Sequence, residues 1–251
     1  MKYLEQMDNA YGGLSSRFYE LEKPQPSPEE YDFYKQFLLQ SKDSLEPMCG
    51  SGRFLIPYLQ EGIAIDGFDY SKEMIELLHS KIDITKYQTN VWQDDIEKFE
   101  VDKTYDSIII PCGSFGHIIS FTSISRALSQ IYNSLSDKGV FVFEVETKNL
   151  IRNISDGVYQ NSIAIQNNQV IQLRREMFVK EDVVMAKDVY SLLEDDKLKR
   201  QETESFQVRL YDNPDSLVKL LEGTGFKTVD IINGSRIEKS QIDYYRLVCT
   251  K

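Results

Sequence analysis

SLEPMCGSGRFLIPYLQEGIAIDGFDYSKEM, residues 44–74, is the stretch that decides the fold of this 251-residue chain. It joins a short apolar run, a glycine-rich turn at residues 49–52, a helical pattern that stops at Gly62, and a second apolar run that ends at Asp69. This order predicts a strand, a tight turn, a helix and a second strand, because a glycine just after a helical pattern is typical of a helix C-terminus. Glycines let a ligand approach the backbone, and the next helix N-terminus presents free N–H groups, so the turn is a candidate binding site.

The residues around this turn discriminate between two nucleotide ligands. A dinucleotide fingerprint needs a third glycine, but Leu55 stands at that position after Gly50 and Gly52. Glu46 ends the first strand, where a carboxylate would repel a pyrophosphate and attract an ammonium or sulfonium group. Asp69 ends the second strand, at about the spacing of an acidic residue that accepts hydrogen bonds from ribose hydroxyls. These features describe S-adenosylmethionine better than NAD, and an NAD(P)-dependent oxidoreductase is the alternative.

The same residues resemble a known family. EPMCGSGR (residues 46–53), followed by GFDYSKEM (residues 67–74), is similar to the first two motifs of class I S-adenosylmethionine-dependent methyltransferases. The resemblance implies an α/β fold: a doubly wound, mostly parallel seven-stranded sheet of the Rossmann-like type, with strand order 3-2-1-4-5-7-6. It also implies an enzyme that takes S-adenosylmethionine as its cofactor. A non-catalytic protein that binds this cofactor is a second alternative.

Composition narrows the class of partner. The apolar fraction of 41% indicates a globular chain, and the net charge of −11 argues against a nucleic-acid partner. The N-terminus is too polar for a signal peptide, and no apolar run is long enough to span a membrane. The three cysteines are far apart, without metal-ligand spacing, which favours a reducing cytoplasm. The sequence leaves open whether the protein is a monomer or a homodimer.

The N-terminal segment has two interpretations. Residues 1–22 carry several aromatic residues, Tyr11 and Tyr19 among them, and are interrupted by Gly12 and Gly13. They form either an arm that packs on the sheet edge or a lid that is hinged at the glycines and excludes water. The resemblance implies that a tyrosine of such a lid reaches the methionine end of the cofactor, and Tyr19 is the candidate.

The resemblance also assigns an adenine subsite. Tyr70 and Met74 follow the ribose acid and would flank the adenine ring, although a methionine at helical spacing also fits plain core packing. Asp95 would accept from the adenine amino group, while the backbone N–H of Ile96 reaches a ring nitrogen. The neighbouring Asp94 stands where glycine is frequent in the family, so Asp95 is preferred.

A loop that is expected to contact the methyl acceptor follows the apolar run at residues 105–110. Loops at the carboxyl ends of such strands bind ligands, so Pro111–His117 is expected to lie between methyl donor and acceptor. The loop lacks the Asn/Asp-Pro-Pro-Tyr sequence of methyltransferases that act on amino groups of nucleic acid or protein, which favours a small-molecule acceptor. His117 is either a structural histidine or a general base that works near neutral pH.

Beyond residue 150 the pattern changes to alternating apolar and polar residues. Runs at 162–166, 170–179, 183–193 and 202–211 predict about three or four antiparallel strands. Residues 1–150 and 206–251 are therefore predicted to form the cofactor-binding domain with its N-terminal lid, and residues 151–205 an inserted antiparallel sheet. This sheet is either a stabilising or dimerising appendage or a cap over the acceptor.

The predicted activity is transfer of a methyl group from S-adenosylmethionine to a small molecule, mainly by alignment of donor and acceptor. The predicted cofactor-binding residues are Tyr19, Glu46, Gly50, Gly52, Asp69, Tyr70, Met74, Asp95, Ile96 and Pro111. The candidate catalytic residue is His117, and no metal ligand is predicted.

Overall fold

The computed structural model describes residues 13–151, 158–165, 168–236 and 241–251. The helices are α1 (Leu14–Glu22), α2 (Pro28–Leu38), α3 (Leu55–Gln60), α4 (Lys72–Lys81), α5 (Phe121–Ser134) and α6 (Asp215–Thr224). The strands are β1 (Ser44–Pro47), β2 (Ile65–Asp69), β3 (Val91–Gln93), β4 (Tyr105–Ile110), β5 (Leu135–Glu146), β6 (Val158–Ala164), β7 (Gln169–Lys180), β8 (Val183–Glu194), β9 (Lys197–Arg209), β10 (Thr228–Gly234) and β11 (Tyr244–Thr250). Tyr11 and Gly12 lie outside the described residues.

Seven strands form one sheet in the order β10-β11-β5-β4-β1-β2-β3. Pairing is parallel from β5 across to β3, and β11 pairs antiparallel with both β5 and β10. Read from β3, and with the four strands of the second sheet left out of the count, the order is 3-2-1-4-5-7-6. The predicted fold class and strand order are therefore confirmed.

Strand β4 lies at the centre of this sheet and is buried on both faces. Ile108, Ile109 and Ile110 have no exposed surface. Ile108 and Ile110 join the apolar cluster that includes α5 and α6, whereas Ile109 joins the cluster of α2, α3 and α4 on the opposite face. Because successive side chains of a strand point to opposite faces, one apolar run holds both helical layers on the sheet.

A local sequence signal sets the start of α2. Ser27 and Glu30 form a capping box at α2: the Glu30 backbone N–H donates to Ser27 Oγ (3.2 Å), and the Ser27 N–H donates to Glu30 Oε2 (3.3 Å). Strand β5 is irregular at its start. It begins at Leu135, directly after α5, and its pairing with β4 shifts between Tyr105 and Ser107.

The alternating region forms a four-stranded antiparallel sheet in the order β6-β7-β8-β9. Tight turns connect β7 to β8 and β8 to β9, and Glu181, Asp195 and Asp196 in these two turns have positive φ. Asn168, directly before β7, has positive φ as well. Strand β9 extends past residue 205, and the division of the chain at residues 150 and 205 stays a prediction. Helix α1 packs on this sheet through Leu14 and Phe18, in an apolar cluster with Ile171, Leu173 and Tyr190.

Candidate functional site

A cavity of about 460 Å³ lies at the carboxyl ends of the parallel strands. Its size is in the range of small-molecule sites. The structure brings all the predicted site residues to this cavity except Gly52. The predicted residues that line it are Tyr19, Glu46, Gly50, Asp69, Tyr70, Met74, Asp95, Ile96, Pro111 and His117. Their roles toward a ligand stay predictions.

Asp69 connects the glycine-rich turn to the start of α4. Its Oδ2 accepts a hydrogen bond from the Gly50 N–H at 2.8 Å, and its Oδ1 accepts one from the Ser71 N–H at 2.9 Å. Burial raises the pKa of Asp69, and these backbone hydrogen bonds oppose that shift. The carboxylate is thus held in place by main-chain donors, and its remaining lone pairs can accept from ligand hydroxyls.

Glu46 is a buried carboxylate with an unused oxygen. Its exposed fraction is 3%, and Oε2 has no hydrogen-bond partner within the described residues. Burial raises its pKa well above the ordinary value, the charge of Asp69 raises it further, and Arg53 opposes the shift. An unpaired buried acceptor of this kind costs free energy until a donor reaches it, and a ligand ammonium is such a donor.

The two glycines of the turn, Gly50 and Gly52, have different surroundings. A Cβ built on Gly50 would have no heavy atom within 4 Å, so the space in front of this residue is open to a ligand. A Cβ on Gly52 would lie 2.8 Å from Ile56 Cγ1 and 3.1 Å from Leu78 Cδ1. Both residues have positive φ, but Gly52 faces the packing of α3 and α4, away from the cavity.

The acidic pair after β3 lines the cavity with both members. Asp94 accepts from Trp92 Nε1 (3.0 Å) and from the Asp95 N–H (2.8 Å). Asp95 accepts from the Glu97 N–H (3.0 Å) and pairs with Lys98 (3.2 Å). Both carboxylates have protein partners, so the preference for Asp95 over Asp94 stays a prediction. Next to them, Met74 is buried and Tyr70 is 62% exposed.

Arg53, which the sequence analysis did not single out, connects four segments at the cavity. Its Nε donates to the Gln25 carbonyl (3.1 Å), its Nη1 lies 3.3 Å from Cys112 Sγ, and its Nη2 lies 3.6 Å from Glu30 Oε2. It also hydrogen-bonds the hydroxyl of Tyr19, whose pKa burial raises to about 12. Its position directly after the glycine turn was the available signal for such a contact.

His117 lies on a 3₁₀ segment, Ser114–His117, and contacts the second sheet. Its Nδ1 is 3.1 Å from the Gln207 carbonyl of β9, and its ring meets Phe206 with a centroid distance of 6.0 Å. Burial lowers the pKa of His117 below its ordinary value, so the imidazole is neutral at pH 7. Ser205, Phe206 and Gln207 also line the cavity. The sequence analysis missed these three residues, because only the tertiary structure brings β9 to this loop.

The cavity therefore has two sides. The side that is predicted to hold the cofactor, here called the cofactor side, consists of Glu46, Gly50, Asp69, Tyr70, Met74, Asp94, Asp95 and Ile96. The opposite side, here called the acceptor side after the prediction for the loop that follows β4, consists of Ser114, His117, Ile118, Ile119, Ser205, Phe206 and Gln207. The first offers carboxylates and an open turn, which fit a cationic nucleoside. The second offers neutral polar groups and an aromatic ring.

Comparisons with known proteins agree with this arrangement. The model of the family described as methyltransferase domain matches residues 45–139. Two curated relatives carry the provisional name of methyltransferase: a protein of Geobacillus sp. (strain WCH70), 23% identical over 131 residues, and YqeM of Bacillus subtilis, 23% identical over 137 residues. The matches cover 52% and 55% of this chain, and 51% and 56% of the relatives. The chain thus spans about half the length of the curated relatives it matches.

Solved structures share the fold over almost the whole chain. An S-adenosylmethionine-dependent methyltransferase from Clostridium acetobutylicum superposes with a TM-score of 0.75 at 17% identity, covering 96% of this chain and 99% of that one. The sugar N-methyltransferase KedS8 from a Streptoalloteichus species gives a TM-score of 0.76 at 15% identity, covering 97% and 94%. The family match favours the methyltransferase interpretation over the oxidoreductase alternative. Residues 45–139 thus match a methyltransferase domain, and the chain shares its fold with S-adenosylmethionine-dependent methyltransferases.

Proposed function

We propose that the chain transfers a methyl group from S-adenosylmethionine to a small-molecule acceptor. The observation that carries this proposal is the orphaned Oε2 of Glu46, buried beside the open turn at Gly50. These two features suit a ligand that donates to Glu46 from an ammonium group at one end and lies close to the backbone at Gly50. The bound cofactor supplies an electrophilic methyl group on a sulfonium, so the protein has mainly to align the acceptor.

The residues of the cofactor side hold the cofactor by complementary groups. Glu46 accepts from its amino group and Asp69 accepts from its ribose hydroxyls. Asp95 and the Ile96 N–H read the adenine edge. Tyr70 and Met74 contact the adenine ring. Tyr19 and Pro111 lie toward the methionine end of the cofactor.

His117 acts as the general base in this proposal. Its Nδ1 contact with the Gln207 carbonyl fixes the orientation of the ring, and its lowered pKa keeps the imidazole unprotonated at neutral pH. Residues 151–205 then serve as a cap over the acceptor, since β9 contributes Ser205 to the cavity. A small acceptor is supported by structural neighbours named as a sugar N-methyltransferase and an amino pentose methyltransferase. The three unpaired cysteines are consistent with a cytoplasmic protein.

Two measurements test the proposal. Calorimetric titration should detect binding of S-adenosylmethionine, with no comparable binding of NADH. Incubation with methyl-labelled cofactor and a metabolite extract should give a labelled product by mass spectrometry. Binding without any labelled product would instead support the non-catalytic binding protein.

The role of His117 has its own test. His117→Ala is expected to lower kcat by about a hundredfold, the lower end for a general base, with the affinity for S-adenosylmethionine unchanged. Unchanged turnover would remove His117 from the chemistry while leaving the transferase activity in place.

A further inference from the structure

We infer that the acceptor carries a peptide-like amide group, which hydrogen-bonds to the main chain of β9; this inference rests on the proposed function. Strand β9 is an outer strand of the order β6-β7-β8-β9, so one of its edges is not paired within that sheet. An outer strand presents N–H and C=O groups that pair with an extended amide chain. Ser205, Phe206 and Gln207 bring β9 to the cavity.

Two contacts show which main-chain groups of β9 point away from β8. In an antiparallel pair, the N–H and C=O of one residue point to the partner strand, and those of the next residue point away from it. The Leu210 N–H donates to the Asp182 carbonyl, directly before β8, at 2.7 Å. The Gln207 carbonyl instead accepts from His117 Nδ1, on the opposite edge. The pairing has no shift along residues 200–209, so the odd-numbered residues of this part face away from β8.

The N–H and C=O of Ser205 therefore lie on the outer edge of β9, together with the N–H of Gln207. Successive side chains of a strand point to opposite faces, so a cavity that Ser205, Phe206 and Gln207 all line runs along this edge. Among the described residues, no main-chain group donates to the Ser205 carbonyl or accepts from its N–H. The edge thus offers two donors and one acceptor, and the donors are about 7 Å apart, as in any extended strand.

The open part of this edge ends at His117. The Gln207 carbonyl is already bound by His117 Nδ1 at 3.1 Å. One step further, a Cβ built on Gly116 would lie 3.1 Å from the Arg209 carbonyl, so the 3₁₀ segment covers the edge there. An amide chain that pairs with Ser205 therefore cannot extend past Gln207, and its end lies near the candidate base.

Phe206 supplies an aromatic wall beside the edge. Its ring meets that of His117 at a centroid distance of 6.0 Å, and Arg175 stacks over it at 4.8 Å. Two hydrogen bonds of 2.7 Å hold Arg175 on Asp188, which has no exposed surface. In strand pairing, main-chain hydrogen bonds give affinity and side-chain pockets give selectivity. We therefore expect an apolar group of the acceptor to lie against the Phe206 ring.

An α-amido carbonyl unit complements the main chain of Ser205. Such a unit has an N–H and a C=O on either side of one carbon atom, which is how two opposed residues exchange both hydrogen bonds in an antiparallel pair. A carboxylate offers no donor and an alkylammonium offers no acceptor, so neither uses both groups of Ser205. Amino-acid amides and short peptides are the small molecules that do.

The first test looks for an amide bond in the labelled product. The full chain is incubated with methyl-labelled S-adenosylmethionine and a metabolite extract, and labelled products are followed by mass spectrometry before and after acid hydrolysis. Hydrolysis is expected to split the product into an amine and a carboxylic acid. A labelled product without an amide bond would overturn the inference and leave the proposed function in place. No labelled product at all would overturn the proposed function itself.

The second test removes one main-chain donor. Ser205→Pro deletes an N–H that faces the cavity and keeps the pairing with β8, because that N–H does not point to β8. It should raise the KM of the acceptor found in the first test by about fivefold, as for loss of one hydrogen bond. Thr203→Pro is the matched control: Thr203 lies on the same edge but does not line the cavity, so this KM should stay unchanged.

Ser205→Ala removes the hydroxyl and keeps the N–H, so its KM should lie well below that of Ser205→Pro. Equal KM values in these two variants would assign the contact to the hydroxyl and overturn the inference. Equal values for Ser205→Pro and Thr203→Pro would overturn it as well. Calorimetric affinity for S-adenosylmethionine shows that each variant folds.

An ester analogue of the acceptor tests the other hydrogen bond on the unaltered protein. Oxygen replaces the amide N–H in this analogue, so the Ser205 carbonyl loses its donor. The KM should again rise by about fivefold. An ester that is methylated with the KM of the amide would contradict main-chain pairing, whatever the folding of the proline variants.

Discussion

The two sides of the cavity differ in how the chain builds them. The cofactor side comes from one continuous βαβαβ run between Glu46 and Ile96. The acceptor side joins His117 to Gln207, residues that are 90 positions apart in sequence. The first side is held by local turn geometry and main-chain donors. The second side depends on how the four-stranded sheet docks on the loop after β4.

This difference has an energetic consequence. Asp69 takes its hydrogen bonds from backbone N–H groups of the two turns beside it, so its position follows from the fold of that segment. His117 meets a backbone carbonyl of a distant strand. Substitutions on the cofactor side should therefore change ligand affinity most, whereas those on the acceptor side should change turnover and selectivity.

The largest effect on binding is expected from loss of the Asp69 carboxylate. Asp69→Ala should weaken S-adenosylmethionine binding by about 1.5–3 kcal/mol, the contribution of hydrogen bonds to a charged group. Calorimetric titration measures this change. Asp83→Ala is a matched control, because Asp83 also accepts from a backbone N–H two residues ahead, that of Thr85, but does not line this cavity. Equal affinity of the two variants for S-adenosylmethionine would contradict the proposal that Asp69 binds the ribose.

The two glycines of the turn separate ligand contact from packing. Gly50→Ala and Gly52→Ala share the cost of a positive φ for alanine. Gly52→Ala should lose about 1–3 kcal/mol more in the free energy of unfolding, because its Cβ meets Ile56 and Leu78. Gly50→Ala should instead lose cofactor affinity. Denaturant unfolding and calorimetry of both variants measure the contrast, and a common pattern in the two would contradict it.

The Glu46 carboxyl is expected to lower the stability of the cofactor-free protein and to raise the affinity for the cofactor. Glu46→Gln should stabilise the cofactor-free protein by about 1 kcal/mol at pH 8, since it removes a buried carboxylate without a partner for Oε2. The folded-state pKa of Glu46 is raised, so its carboxyl costs nothing below the unfolded pKa and costs progressively more as pH rises toward the folded pKa. The stabilisation by Glu46→Gln should therefore decrease as the pH is lowered toward 4. Thermal unfolding across this range measures it, and cofactor affinity should fall in the same variant. A variant that is less stable at pH 8 would contradict this account.

Sequence was informative where structure is local. The glycine turn and the strand tips at Glu46 and Asp69 each depend on neighbours within one supersecondary unit. The predicted role of Gly52 shows the limit of this reasoning. A glycine pattern identifies where the backbone needs a positive φ, but it does not tell which side of the turn is crowded.

The acceptor side could not be predicted from the sequence, because its contacts join residues that are far apart along the chain. Alternation along residues 202–211 predicts a strand with one wet face, and nothing in that pattern says that its edge meets the Ser114–His117 segment. Arg53 was overlooked although it follows the turn, because its partners Gln25, Glu30 and Cys112 come from three other parts of the chain. Contacts of this kind depend on the tertiary arrangement alone.

The smallest effect concerns the His117 imidazole, and it tests whether the acceptor side is as dry as the packing indicates. Burial disfavours the charged imidazole, so its pKa in the folded protein should lie below the ordinary 6.5. His117 therefore costs stability only as pH falls below 6.5, where the unfolded chain binds a proton that the folded protein does not. The chain has two histidines, so a His79→Gln variant leaves one imidazole signal for NMR titration. A midpoint at or above 6.5 would mean that water or a carboxylate reaches the ring, and the acceptor side would then not be dry.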